Sequence, residues 1–227
     1  MADKHAFKII VSAECLDIMH LGDEVEALDG RKVAELLFPI GDGNIAPFTM
    51  GFNGIRQICA RTTVPCHVLL LARQPERHID ACAAAGCTTM TISYEAATHS
   101  HRILTAVRDA GMKAGIAVNP GTSLVELDYL IEKADHVCLL GVEPGSSLGE
   151  KANPAIVERV KLLLENIRYR ELWTQIMIYG GIDMAIAGQV RVAGASSIGI
   201  EPRMLLEMGE ADRADALKKY IAMLQTQ

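Results

Sequence analysis

Short apolar runs alternate with segments of helical periodicity along most of the chain. The stretch 111–124 shows the repeating unit most clearly. Gly111 ends a helical segment, where a left-handed conformation suits glycine. The apolar run 114–118 that follows is too short for a helix and predicts a buried strand. After an Asn-Pro-Gly break, Thr122 or Ser123 can cap a further helix, so the unit is strand, loop and helix.

The same unit repeats along the sequence and predicts eight strands and eight helices. The predicted strands are 7–12, 33–38, 65–71, 88–94, 114–118, 136–142, 175–178 and 197–200, and a glycine-rich loop follows the second strand at 39–44. The predicted helices are 21–28, 51–60, 75–85, 98–110, the one that starts after 122 or 123, 154–167, 182–192 and 204–224. Strands that are apolar on both faces favour a closed α/β barrel, a (β/α)8 TIM barrel, over an open sheet. We expect one domain over residues 1–227, with its chemistry in the loops that follow the strands.

Composition narrows the classes of function. A chain of 227 residues with 50% hydrophobic residues can bury a large core. The formal charge of -6 offers no basic surface, so we expect no nucleic acid partner. No apolar run approaches the roughly 20 residues of a membrane span, and the first residues lack a signal-peptide core. Six cysteines occur singly within apolar segments. They predict buried thiols in a reducing compartment and therefore a cytoplasmic location.

Six short motifs lie near the predicted strand ends and helix ends. They are Asp42-Gly43 with Pro47, Val64-Pro65, Glu95-Ala96 with His101-Arg102, the run 111–122, Gly180-Gly181-Ile182 and Ala193-Gly194-Ala195. Together they resemble the ribulose-phosphate 3-epimerases over nearly the whole chain. The resemblance implies a barrel of the ribulose-phosphate-binding type that binds a phosphorylated ketose. It also implies a divalent metal, usually zinc, on two histidines and two aspartates, proton exchange at C3 through an enediolate, and a homo-oligomer.

The metal-binding positions depart from the family pattern. Matching the motifs puts Leu37, Pro39, Leu69 and Tyr179 where the family has its histidine and aspartate ligands. Zinc needs nitrogen, oxygen or sulfur donors, and epimerisation through an enediolate needs a base on each face of the substrate. We therefore expect no metal or other cofactor, although the family would carry zinc.

Four residues are candidates for acid or base chemistry: His67, Asp42, Glu95 and Tyr179. His67 shares a strand face with Leu69 and could be a displaced ligand or base, or a neutral histidine bonded inside the barrel. Asp42 and Glu95 would lie near strand ends, either as acids and bases or as loop caps. Tyr179 could donate a proton or fill the space that a smaller residue leaves.

The resemblance also implies a phosphate site made by backbone N–H groups after strands six, seven and eight. Glu201-Pro202 stands where the family has Gly-Ser, and a carboxylate would repel phosphate by roughly 4 kcal/mol at ~4 Å and a dielectric of ~20. Gly199 could be the equivalent glycine instead, or Arg203 could turn in. The candidates for binding substrate or phosphate are Ser12, Asn119, Glu143, Gly145, Ser146, Ser147, Gly180, Gly181, Gly199 and Arg203.

Two hypotheses remain open. The first is an epimerase or isomerase for a small phosphorylated ketose with an altered, metal-independent site. The second is a catalytically inactive barrel that binds a sugar phosphate or a protein partner. Met19, Met50 and Met204, near loops, are candidates for a subunit contact.

Overall fold

The strands of the protein form a closed parallel barrel. A computed structural model describes residues 7–28, 33–146, 150–202 and 213–226. The strands are β1 (Lys8–Ser12), β2 (Glu35–Gly41), β3 (Cys66–Leu71), β4 (Thr89–Ser93), β5 (Lys113–Val118), β6 (His136–Leu140), β7 (Gln175–Tyr179) and β8 (Ser197–Ile200). Each strand pairs in parallel with its neighbours in sequence, and β8 pairs with β1. The predicted (β/α)8 barrel is confirmed.

Helices surround the barrel. They are α1 (Leu21–Glu26), α2 (Phe52–Cys59), α3 (Ile79–Ala84), α4 (Ser100–Asp109), α5 (Ile156–Tyr169), α6 (Met184–Ala193) and α7 (Arg213–Thr226), with 3-10 turns at Ala13–Cys15, Pro75–His78, Leu124–Leu127 and Ile131–Lys133. Gly111 has φ +85°, the left-handed conformation predicted after α4. The start of the predicted last helix, 204–212, lies outside the described residues.

Three predicted elements differ from the structure. The helix predicted at 75–85 begins as a 3-10 turn, Pro75–His78, before α3. The helix expected after β5 is replaced by the two 3-10 turns of that connection. Leu127 and Ile131 are buried in these two turns. The apolar residues whose spacing predicted a helix are therefore buried by two short 3-10 turns. In addition, β2 extends to Gly41 and includes Pro39, which was predicted to start a loop. Pro39 pairs in register with Leu69, and its carbonyl accepts a hydrogen bond from the Thr49 hydroxyl at 2.7 Å.

Alternating strand residues face the barrel axis or the helices. The axis-facing cluster includes Ile10, Leu37, Leu69, Cys138 and Met177, all nearly inaccessible to solvent. The other face packs against the helices in a larger apolar layer. Because parallel strands all end on the same side, the residues that follow the strands meet at one mouth of the barrel.

The loop between β2 and α2 crosses this mouth. Ile45 and Ala46 pack against the axis-facing cluster. The loop approaches β2 so closely that a Cβ atom added at Gly41 would lie 1.9 Å from the carbonyl oxygen of Pro47. On the far side, a Cβ atom at Gly145 would lie 3.6 Å from Cδ of Pro47. The loop therefore bridges the end of β2 and the loop after β6.

Candidate active site at the barrel mouth

A cavity of about 450 Å³ opens at the mouth of the barrel. It brings together Tyr179, the loop after β6 and the ends of β1, β2, β7 and β8. Four carboxylates line it, on Glu14, Glu143, Glu150 and Glu201. Among the described residues around the cavity, none is a lysine, an arginine or a histidine. Its lining is thus acidic.

Tyr179 lies at the base of the cavity. It is the last residue of β7 and is 8% exposed. Its hydroxyl lies 3.5 Å from Oγ of Ser12 and 3.4 Å from Oε2 of Glu14. A Cβ atom at Gly199 would lie 2.5 Å from Cδ2 of the tyrosine ring, so glycine at this position makes room for the ring. Gly199, which was predicted as a phosphate-binding residue, lies within β8 and packs against the ring of Tyr179.

The electrostatics of this group favour a protonated phenol. Burial, followed by the charges of Glu14 and Glu201, raises the pKa of Tyr179 well above its usual range. Desolvation also raises the pKa of Glu14, although hydrogen bonds from Tyr179 and Ser12 oppose that shift. A phenol that keeps its proton beside a carboxylate of raised pKa is suited to acid–base chemistry.

The turn after β7 presents a backbone N–H group at the cavity. Gly180 and Gly181 both have positive φ, +95° and +68°. The N–H group of Gly181 donates a hydrogen bond to the carboxylate of Glu201, just beyond β8. Gly180 and Gly181 were predicted to bind phosphate through backbone donors. In the structure an internal carboxylate already accepts the hydrogen bond of the second glycine.

Asp42, just after β2, is held by hydrogen bonds to the backbone of the surrounding loops. Its carboxylate accepts hydrogen bonds from the backbone N–H groups of Asn44, Ile45 and Arg73 at 2.8–2.9 Å. Desolvation would raise the pKa of Asp42, but these donors outweigh it and lower the pKa to about 2. Asp42 therefore holds the start of the loop across the mouth, as a cap does, and does not line the cavity.

Glu95 joins the loops after β4 and β5. Its carboxylate accepts hydrogen bonds from Ser93 Oγ at 2.9 Å, the Asn119 N–H group at 2.8 Å and Thr122 Oγ1 at 2.5 Å. Arg159 of α5 donates to the carbonyl oxygens of Asn119 and Thr122. Glu95 and Asn119 thus belong to one bonded cluster on the rim, outside the cavity lining.

His67 lies at the opposite end of the barrel from the mouth. It is the second residue of β3 and is buried. Its Nδ1 atom lies 2.6 Å from Oε2 of Glu35, and its Nε2 atom lies 2.6 Å from Oγ1 of Thr91. Thr91 also bonds Nε2 of His136 at 2.7 Å. The sequence allowed His67 to be a displaced metal ligand or base, or a histidine bonded inside the barrel, and its contacts with Glu35 and Thr91 are those of a bonded interior histidine.

The remaining candidates divide into two groups. Glu143, Gly145 and Ser146 line the cavity on the β6 side, while Ser12 reaches it through Tyr179. Ser147 and Arg203 lie outside the described residues. Sequence reasoning missed Glu14 as a site residue. Its only signal was its position two residues beyond the candidate Ser12, at the end of the first strand.

The axis-facing residues do not fit a divalent metal. Leu37 and Leu69 are fully buried in an apolar cluster that also contains Tyr179. Pro39 offers no side-chain donor, so the phenol is the only polar side-chain group of these four residues. Across the described ranges, no group of three or more His, Cys, Asp or Glu side chains is arranged to hold a metal ion.

The fold and the cavity define a (β/α)8 barrel with its candidate site at the carboxyl ends of the strands. Solved structures share this fold. The tryptophan synthase alpha-subunit from Pyrococcus furiosus aligns over 99% of each chain with a TM-score of 0.70 and 14% identity. Phosphoribosyl anthranilate isomerase from Thermus thermophilus aligns over 97% of this chain and 99% of its own, with a TM-score of 0.68 and 16% identity. At such identities the likeness shows the fold alone.

Sequence comparison identifies the family. The model of the ribulose-phosphate 3 epimerase family matches residues 8–202. Ribulose-phosphate 3-epimerase from Rhodobacter capsulatus is 31% identical over 86% of this chain and 84% of its own length. The Bacillus subtilis protein of the same name is 26% identical over 93% of this chain and 97% of its own length. The chain belongs to the ribulose-phosphate 3-epimerase family. No described helix has the length and apolar character needed to cross a membrane.

Proposed function

We propose that this protein catalyses an epimerase-type or isomerase-type proton transfer on a small phosphorylated ketose, at the barrel mouth and without a divalent metal. The observation that carries the proposal is the hydroxyl of Tyr179, held between Ser12 and Glu14 at the base of the cavity. Family membership supports the isomerase class and a sugar phosphate as substrate. The apolar residues at the metal-binding positions of the family support a metal-free reaction.

The proposed chemistry divides the work between two groups. The carboxylate of Glu14 removes a proton from the carbon beside the substrate carbonyl. In the isomerase-type reaction the protonated Glu14 returns a proton to the former carbonyl carbon on the same face of the enediolate; in the epimerase-type reaction water from the open side of the cavity protonates the opposite face. The phenol of Tyr179 donates a hydrogen bond to the carbonyl oxygen, where negative charge develops. The phosphate group binds at Gly180 and Gly181 after Glu201 releases the N–H group of Gly181.

A specific observation favours a second candidate, a catalytically inactive barrel. Glu201 accepts the backbone hydrogen bond that a phosphate oxygen would need, and three more carboxylates line the same cavity. These charges oppose an anionic substrate. Such a barrel would serve in regulation or assembly through a sugar phosphate or a protein partner.

Solvent-proton exchange separates the two candidates. Purified protein, with its metal content measured, is incubated with ribulose 5-phosphate and other ketose phosphates in deuterated water. Our proposal predicts that NMR will detect deuterium at a carbon beside the carbonyl with metal-free protein. The Glu14→Gln variant should lose this exchange. Binding without any exchange would favour the inactive barrel, and exchange that requires stoichiometric zinc would refute the metal-free mechanism.

We also propose a cytoplasmic homo-oligomer. All six cysteines are free thiols, which supports a reducing compartment. Ile18, Met19 and Phe48 are large apolar side chains that are highly exposed near the mouth, which supports a subunit contact there. Sedimentation analysis tests the oligomeric state.

A further inference from the structure

A second cavity adjoins the mouth of the barrel, between the turn that follows β1 and the loop that follows β2. We call it the side cavity. Its volume of about 560 Å³ is within the usual range of small-molecule sites. Eight of the eleven described residues around it are apolar; Leu16 and Phe38 among them are buried, whereas Ile18 and Phe48 are exposed. This lining suits an apolar group of a small molecule.

The side cavity is continuous with the mouth cavity. Glu14, Pro39 and Thr49 line both of them. Glu14 is the residue proposed as the base, and its carboxylate lies 3.4 Å from the hydroxyl of Tyr179. A molecule that reacts at Glu14 can therefore extend from the mouth cavity into the side cavity.

The other polar side chains of the side cavity are bonded within the protein. The carboxylate of Asp17 lies 2.9 Å from Nδ1 of His20. The hydroxyl of Thr49 donates to the carbonyl of Pro39 at 2.7 Å and accepts the N–H group of Gly41 at 3.3 Å. A ligand hydroxyl in this cavity would lose its hydrogen bonds to water without replacement, which is unfavourable. An apolar ligand group gains free energy there by leaving water.

The aromatic wall of the side cavity packs on its own loop. Gly43 has φ +76°, and a Cβ atom there would lie 2.5 Å from Cε2 of the Phe48 ring. The bonds of Thr49 tie the next residue of the loop to β2. The wall is thus formed before a ligand binds, which lowers the entropic cost of binding.

The order of the strands sets the direction of a bound substrate. Strands β7, β8, β1 and β2 are successive neighbours in the barrel. Gly180 and Gly181, at the proposed phosphate site, follow β7, whereas Glu14 follows β1 and the side cavity lies between the ends of β1 and β2. A ketose with its phosphate at the β7 side and its reacting carbon at Glu14 points its other end toward the side cavity.

We propose that the side cavity is a subsite for an apolar substituent at C1 of the substrate, the end remote from the phosphate. The inference rests on the proposed function, because that function places the reacting carbon at Glu14. The substrate class is then a phosphorylated ketose with an alkyl or aryl group at C1. Ribulose 5-phosphate, which has a hydroxyl group at this carbon, is a poorer substrate.

Deuterium exchange tests the substrate class. Ribulose 5-phosphate is compared with its 1-O-methyl, 1-O-ethyl, 1-O-propyl and 1-O-butyl ethers. We expect kcat/KM for exchange to rise by about fourfold for each methylene group added to the ether, as when each group leaves water for an apolar site. Exchange with every compound but no rise along the series would overturn the inference and leave the proposed function intact.

Two matched variants locate the effect. Leu21→Trp, checked for folding by circular dichroism, fills the side cavity from α1. It should abolish the rise along the ether series and keep the exchange of ribulose 5-phosphate. Leu162→Trp is the control, because Leu162 is exposed on α5 and lines neither cavity. The same rise in both variants would overturn the inference.

A binding measurement covers the case in which the protein exchanges no ketose phosphate at all, which would refute the proposed function. Protein with 13C-labelled methionine methyl groups is titrated with benzyl alcohol and followed by NMR. The methyl signal of Met50, which lines the side cavity, should shift to saturation, while that of Met223 on α7 should not. Saturation at Met50 alone would support an apolar subsite.

Two results of this titration would overturn the inference. One is no shift at Met50. The other is a Met50 signal that moves with protein concentration in the absence of benzyl alcohol, because a second copy of the chain would then fill the side cavity.

Discussion

At the scale of single residues, the mouth is defined by contacts among Tyr179, Glu14 and Ser12. The phenol keeps its proton because it is buried beside carboxylates, and it lies within reach of the carboxylate that would serve as the base. The pairing depends on two strands that are far apart in sequence. A substitution that removes only the hydroxyl isolates its contribution.

The variant Tyr179→Phe should lower deuterium exchange into the ketose phosphate by at least ~100-fold, as expected for the loss of one acid–base group. The fold should persist because phenylalanine fills the same space beside Gly199. The matched control is Tyr169→Phe, since Tyr169 is 90% exposed at the end of α5. Equal exchange rates in the two variants would rule out Tyr179 as the donor.

Glu201 should control the binding of anions. The variant Glu201→Gln removes the negative charge of the carboxylate that accepts the hydrogen bond of the Gly181 N–H group. At ~4 Å this charge repels a bound phosphate by up to about 4 kcal/mol. Calorimetry should show inorganic phosphate binding at least tenfold tighter than in the wild type.

The Glu143→Gln variant is the control, because Glu143 lines the same cavity. It should give a smaller increase than Glu201→Gln. If the two variants bind phosphate equally, the contact with Gly181 is not what limits binding.

At the scale of elements, the loop across the mouth depends on close packing at the end of β2. Asp42 holds its start, and Gly41 allows the carbonyls of Ala46 and Pro47 to approach the strand. No side chain larger than hydrogen fits at Gly41 without moving backbone atoms.

The variant Gly41→Ala should lower the free energy of unfolding by about 1–3 kcal/mol, the usual cost of overpacking. The added Cβ atom would lie 1.9 Å from the Pro47 oxygen. Urea denaturation measures the change. Gly121→Ala is the control, because its Cβ atom would meet only Glu143 Oε1, at 3.9 Å. A Gly41 variant as stable as this control would show that the loop adapts freely.

At the scale of the whole molecule, a row of hydrogen-bonded polar side chains crosses the barrel interior at the end opposite the mouth. It runs from Glu35 through His67 and Thr91 to His136, and the two imidazole rings meet edge to face with centroids 5.2 Å apart. Burial, and then the charge of His67, lower the pKa of His136 to about 3. His136 is therefore neutral in the folded protein near neutral pH.

This histidine should make stability fall on acidification. In the unfolded chain His136 takes up a proton below its ordinary pKa of 6.5, whereas in the folded protein it does so only near 3. Between these two pKa values the unfolded state binds more protons than the folded state. The free energy of unfolding should therefore fall by up to about 1.4 kcal/mol for each pH unit below 6.5. Above pH 6.5 the contribution of His136 to stability is complete.

Urea denaturation between about pH 7 and about pH 5 measures this slope. We expect His136→Gln to have a shallower slope than the wild type, whatever its absolute stability. His99→Gln, at an exposed position before α4, should keep the wild-type slope. Identical slopes in all three proteins would exclude His136 as the source.

The sequence by itself determined the barrel. Apolar runs of strand length recur between helical segments, and this local pattern predicts strand positions, the closed fold and the edge where the site lies. Gly111, Gly180 and Gly181 were correctly assigned to turns because their neighbours mark the ends of elements. The departure of Leu37 and Leu69 from a metal-binding pattern was also visible in the sequence.

Only the tertiary structure decided which polar groups meet. The contacts of Tyr179 with Glu14, of Glu201 with Gly181 and of His67 with Glu35 each join residues that are distant in sequence. Local periodicity specifies which face a side chain occupies, but its contact partners depend on strand register and on the depth of each residue along the barrel. That depth separates His67, near the start of β3, from Tyr179, at the mouth.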